Sequence, residues 1–140
     1  MSKAAVIYWS GTGNTEAMAN AVVEGAKAKG AEVSLFTADE FDASMLDALD
    51  AVAFGCPAMG AEVLEEDEFE PMFASCEGKL GGKRIALFGS YGWGDGEWMR
   101  NWEERCVGDG ALMACEPVIC NDAPEGDTVV ELNALGAALA

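Results

Sequence analysis

The sequence predicts an α/β fold, a parallel sheet covered by helices on both faces. Two observations carry this. Short apolar runs alternate along the whole chain with segments of helical period. The runs at residues 4–9 and 50–55 are also apolar enough to be buried on both sides, as strands of a covered parallel sheet are.

The elements follow in order. Ala4-Ala5-Val6-Ile7-Tyr8-Trp9 reads as the first strand, and Met18, Ala19, Val22, Val23 and Ala26 recur at helical spacing after it. Gly30 ends that helix, and residues 31–36 form the second strand. A short helix over 41–49 has Asp42 as its N-cap and Met45, Leu46 and Leu49 on its inner face. Residues 50–55 are the third strand. Residues 66–76 read as helix with Phe69, Met72, Phe73 and Cys76 inward, provided Pro71 sits in the first turn. The fourth strand covers 83–89, and a glycine-rich loop covers 90–96. A helix over 97–107 places Trp98, Trp102 and Cys106 at i, i+4 and i+8. A fifth strand over 112–120 is interrupted near Pro117, and a last helix from about Asp127 turns Val129, Leu132, Leu135 and Leu139 inward. No repeat or linker divides the chain, so residues 1–140 are expected to form one domain.

Composition narrows the function. Eight Lys+Arg against 25 Asp+Glu give a formal charge of −17, which excludes nucleic acid and anionic membrane surfaces as ligands. The same charge favours basic partners, or serves only solubility. The chain has no histidine, so the commonest general base and metal ligand is absent. Cys56, Cys76, Cys106, Cys115 and Cys120 form no Cys-x-x-Cys pair, which points to buried thiols in a reducing compartment and to no metal centre. Neither a signal peptide nor a membrane span is visible, and a cytoplasmic, soluble protein is expected.

Three loops carry the chemistry. Ser10-Gly11-Thr12-Gly13-Asn14-Thr15 joins strand to helix. Its glycines let the backbone curl around a ligand, its amides and the helix N-terminus favour an anion, and four side chains can donate hydrogen bonds. Asn14 after Gly13 breaks the Walker pattern, and Glu16 stands where a dinucleotide fingerprint needs its third glycine. The loop reads as a phosphate cradle; the plainer alternative is a turn capped by Thr15. After the third strand, Pro57-Ala58-Met59-Gly60 leads to Glu62. After the fourth, Ser90-Tyr91-Gly92-Trp93-Gly94 sets an indole between glycines. Trp93 suits stacking on a flat heterocycle, Met59 its other face, and Glu62 a ring N–H. Taken singly, each is also explained as a loop anchor, an inward-folded side chain or a solvated carboxylate. Ligands of open α/β sheets sit beyond the carboxyl ends of the strands, where these three loops would meet.

These residues resemble the flavodoxins. Residues 10–15 are similar to that family's FMN-phosphate loop, and Pro57-Ala58-Met59-Gly60 and Ser90-Tyr91-Gly92-Trp93-Gly94 to its two isoalloxazine loops. The likeness covers the whole chain and is closest to short-chain members of anaerobic bacteria, because the fifth strand lacks a long insertion. Strand order 2-1-3-4-5, with FMN at the switch point, is the standard illustration of that rule for this family and comes with the resemblance. The resemblance implies that Ser10 through Thr15 hold the phosphate without a cation and that Trp93 and Met59 flank the flavin. It further implies that Glu62 accepts from the flavin N3–H and that Asn121 reaches the ribityl chain. Trp98 either adds an indole N–H or is a core residue of its helix. Gly60 would turn its carbonyl toward N5–H of the reduced flavin. Pro57 departs from the pattern, since relatives often carry a serine there.

The implied function is a low-potential, one-electron carrier with noncovalent FMN, monomeric, without catalytic residues of its own and serving basic-surfaced redox enzymes. The alternative is an FMN-dependent quinone reductase on the same fold. A phosphoacceptor receiver domain is set aside, because Tyr8-Trp9-Ser10 and Gly55-Cys56-Pro57 lack its aspartates.

Overall fold

The computed structural model describes residues 2–59, 63–92 and 94–140. Its strands form one parallel sheet. β1 (Lys3–Tyr8) lies centrally between β2 (Glu32–Thr37) and β3 (Ala51–Gly55), followed outward by β4 (Arg84–Tyr91). The sheet order is the expected 2-1-3-4-5, with its last position shared by two segments. β5 (Leu112–Met113) pairs with Arg84 and Ile85, and β6 (Val118–Asn121) resumes along Phe88–Tyr91 of the same strand. Pro117 between them has no N–H for the ladder, which accounts for the interruption the sequence predicts.

Side chains of the central strands alternate between two cores. Ala5, Ile7, Val52, Phe54, Ile85 and Leu87 face α2 (Phe69–Cys76) and α3 (Glu97–Gly108). Ala4, Val6, Tyr8, Ala53, Ala86 and Phe88 face α1 (Asn14–Ala28) and α4 (Asp127–Ala137). Two buried faces explain why these strands are apolar throughout rather than alternating. The first core is aromatic: Phe54 meets Phe73 edge-on at 5.1 Å, and Trp102 meets Phe69 and Phe73 edge-on at 5.5 and 5.7 Å.

Three boundaries differ from the sequence reading, each for a local reason. The short helix after β2 is a 3-10 helix over Ala43–Ala48, capped as expected by the Asp42 carboxylate, which accepts from the Ser44 amide at 2.9 Å. α2 begins at Phe69 and not at 66, because the Glu65 carboxylate takes the amides of Asp67, Glu68 and Phe69 and holds 66–68 as a turn. Pro71 then falls in the first turn, where it is harmless. β4 runs on through Ser90 and Tyr91, which are strand and not loop, because β6 pairs with them as Cys120 and Asn121. All five cysteines are free, and four are buried. Burial pushes the Cys106 thiol up to about 12 and raises that of Cys56 further.

Candidate functional site

The carboxyl ends of β1, β3 and β4 are bound directly to one another. The Trp9 amide donates to the Gly55 carbonyl at 3.0 Å, that of Cys56 to Phe88 at 3.2 Å, and that of Ala58 to Ser90 at 3.1 Å. Gly89 permits the last approach: a β-carbon there would lie 2.2 Å from the Cys56 carbonyl oxygen. The three loops therefore leave the sheet side by side. Between them lies a cleft of about 260 Å³ lined by Trp9, Gly11, Thr12, Asn14, Pro57, Ala58, Met59, Ser90, Tyr91, Gly92 and Asp122. No lysine or arginine is among these residues.

The first loop is shaped for an anion. Gly13 is left-handed, with φ of 96°, and stands at the N-cap of α1 without any side-chain cap bond. The amides of Asn14, Thr15 and Glu16 precede any i−4 carbonyl of their own helix, so they face out of the helix end. A carboxylate or hydroxyl normally takes such donors; among the described residues no side chain caps this end, which is the positive end of the helix dipole. The Ser10 hydroxyl accepts from the Gly13 amide at 3.0 Å and closes the loop. Gly11 packs over the indole of Trp9, where an added β-carbon would sit 3.1 Å from the ring. Thr15, buried, does not cap the helix; its hydroxyl lies 3.2 Å from that of buried Ser90, joining the first loop to the fourth strand. Converging amides and hydroxyls without a cation fit a flavin phosphate, and an apolar rim of Trp9, Met59 and Tyr91 fits a flat ring.

The structure brings most of the expected residues together and separates a few. Gly11, Thr12, Asn14, Pro57, Ala58, Met59, Ser90, Tyr91 and Gly92 share the cleft. Ser10 and Gly13 lie just behind it, lining a second cavity of about 360 Å³ on the far side of Trp9. Gly94 is left-handed, with φ of 88°, in the loop that follows β4. Trp98 is 2% exposed, and its Nε1–H donates to the Cys56 carbonyl at 3.1 Å. The core alternative describes its geometry: it props the loop after β3 from below. Asn121 is exposed at the end of β6, opposite Tyr91. Gly60, Glu62 and Trp93 lie outside the described residues.

Two lining residues escaped the sequence reading. Trp9, which the apolar run places in the first strand, stands just past the end of β1 and walls the cleft directly before the glycine loop. Asp122 has φ of 59°, and its amide donates to the Tyr91 carbonyl at 2.9 Å. The Asn-Asp pair at 121–122 was the available signal, because both residue types tolerate the left-handed region.

A topology with its switch point at β1 and β3, an uncapped phosphate cradle and an apolar rim define a mononucleotide-binding α/β protein. Comparison with known proteins gives the family. The Flavodoxin family model matches residues 6–132. The flavodoxin of Clostridium beijerinckii is 46% identical over 120 residues, covering 86% of this chain and 87% of the relative. That of Megasphaera elsdenii is 44% identical over 135 residues, covering 96% of each. The solution structure of the two-electron reduced Megasphaera elsdenii flavodoxin superposes with a TM-score of 0.90 at 43% identity, covering 97% of both chains. The chain belongs to the flavodoxin family: it is an FMN-binding electron-transfer protein rather than an enzyme with its own substrate.

Proposed function

We propose that this protein, as a single domain over residues 1–140, carries electrons one at a time and at low potential between redox enzymes with basic surfaces. The uncapped N-terminus of α1, opening into a cleft without cationic side chains, is the observation that carries the reading. Bound FMN supplies the redox chemistry, accepting and releasing electrons. The chain binds it, orients it and sets its energetics.

The amides and hydroxyls of residues 10–15 take the phosphate, replacing its hydration shell with fixed donors. Pro57 and Ala58 wall the cleft, and Ser90 holds Thr15 in place. Met59 covers one face of the ring, while Tyr91, Gly92 and Gly94 carry the loop on the other. Trp93 stacks there, Glu62 orients the ring edge, and Gly60 turns its carbonyl; these three roles rest on the resemblance. Asn121 and Asp122, together at the end of β6, reach the sugar-like chain. Trp98 is assigned no contact with FMN, since its donor is committed to Cys56.

An excess of carboxylates disfavours added negative charge in the cleft, which lowers the potential. It also attracts basic partners over long range. The reading takes the protein as a cytoplasmic monomer; among the described residues no helix is long and apolar enough to cross a membrane, and all five thiols are free. A quinone reductase would need a substrate cavity over the ring, which an indole stacked there would fill. Anaerobic reduction of the FMN-loaded protein tests the reading. Two successive one-electron stages with distinct spectra are expected. A single two-electron step, coupled to turnover of a quinone by a nicotinamide donor, would favour the enzyme.

A further inference from the structure

The loop after β3 is tied at its far end by contacts that binding FMN does not itself require. Glu65 is 6% exposed, yet among the described residues no lysine or arginine pairs with it. Its Oε1 accepts from the amides of Glu68 at 2.8 Å and Phe69 at 2.9 Å, and its Oε2 from that of Asp67 at 2.9 Å. Its backbone carbonyl accepts from Glu70 at 2.8 Å, and its own amide donates to the buried Cys56 Sγ at 3.4 Å. Within that closure the Met59 amide donates to the Val63 carbonyl at 3.0 Å.

The arrangement is unusual for a cap. The N-cap residue, Glu68, makes no side-chain bond to its helix. The first amides of α2 are held instead from the end of the preceding loop. Since α2 is fixed by Phe69 and Phe73 in the aromatic core, Glu65 passes that rigidity back to the segment carrying Met59.

We infer that Glu65 is a positioning residue for the cofactor loop, setting through the closure at Cys56 and Val63 how tightly, and at what potential, FMN is held. The inference rests on the flavodoxin reading and goes beyond the residues that touch the ring.

Three variants separate positioning from charge and from stability. Glu65→Asp keeps the charge but is one methylene short; Glu65→Gln keeps the reach but loses the charge; Asp42→Ala removes a cap whose residues do not line the cleft. Each is measured for FMN dissociation constant, first-electron midpoint potential, and hydrogen exchange of the Met59 amide in FMN-free protein. Glu65→Asp should weaken FMN binding by about tenfold or more, the equivalent of one charge-assisted hydrogen bond. It should also shift the potential and speed exchange at Met59. Glu65→Gln, which keeps an acceptor for Glu68 and Phe69, should do less. Asp42→Ala should leave affinity within roughly twofold of the parent and the potential unshifted. If Glu65→Asp loses stability alone, with affinity, potential and Met59 exchange unchanged, the residue is only a cap and the inference is overturned. A potential that moves in Glu65→Gln but not in Glu65→Asp would equally overturn it, in favour of charge. Failure of the unaltered protein to take up FMN would sink the family reading instead, and Met59 exchange would still decide whether Glu65 holds the loop.

Discussion

Asp109, just past the end of α3, shows how one residue's surroundings set a pH dependence. Its carboxyl is pushed up to about 6 from an ordinary 3.8, by burial first and then by the hydrogen bond and charge of Glu77, against the pull of Arg105. Arg105 is itself held by both oxygens of Glu70 at 2.7 Å and by Glu77 at 2.6 and 2.8 Å, over the ring of Phe73. An acid whose folded pKa is raised contributes fully below its unfolded value, near pH 4, and the contribution is lost as pH rises through about 6. Asp109→Asn should therefore stabilise the protein at pH 7 and leave it unchanged near pH 3.5, as denaturant midpoints at the two values would reveal. At this scale the sequence was legible where residue type alone decides. Ser10 through Thr15 read as a turn from strand into helix because glycine permits it, and Gly13 is the left-handed residue at the start of α1. It was illegible where a partner decides: whether the Trp98 indole faces a ligand or Cys56 depends on how closely β3 and β4 approach, which no local pattern encodes.

Among the elements, α1 and α4 are packed through glycines. A β-carbon on Gly25 would sit 2.0 Å from the Asn133 carbonyl oxygen, and one on Gly136 the same distance from that of Val22. Backbone cannot yield as a side-chain tip can, so Gly136→Ala should cost about 1–3 kcal/mol of stability by separating the helices, measurable in urea. FMN binding should survive, because neither position lines the cleft. Periodicity placed α1 to α4, and β1, β3 and β4 were legible because both faces of the central sheet are buried and their apolar runs are unbroken. Boundaries were set by contacts outside the runs. Glu65 delays α2, and pairing with β6 lengthens β4. The broken fifth strand was readable because Pro117 acts through its own missing N–H.

For the molecule as a whole, alternation of strand and helix dictates a parallel sheet but leaves the order of its strands open. The order 2-1-3-4-5 came from resemblance, carried by the three loops, and the sheet has it. A chain of formal charge −17 that binds a dianionic phosphate must do so against its own field. On the proposed function the compensating energy lies in desolvated amides and hydroxyls of residues 10–15, with no ion pair. Two consequences are opposed in sign to those of a lysine–phosphate site. Salt screens the unfavourable field, so FMN affinity should hold or rise with ionic strength, whereas a site built on cations weakens. Riboflavin, which lacks the phosphate, should forfeit the loop's donors and bind on the order of a thousandfold more weakly, the equivalent of two or three hydrogen bonds to a charged group. Titration of the FMN-free protein with FMN and with riboflavin, followed by quenching of flavin fluorescence at low and high salt, measures both. A large preference for FMN that does not fall as salt is added is expected. Equal binding of the two flavins, or an FMN affinity that collapses with salt, would contradict it.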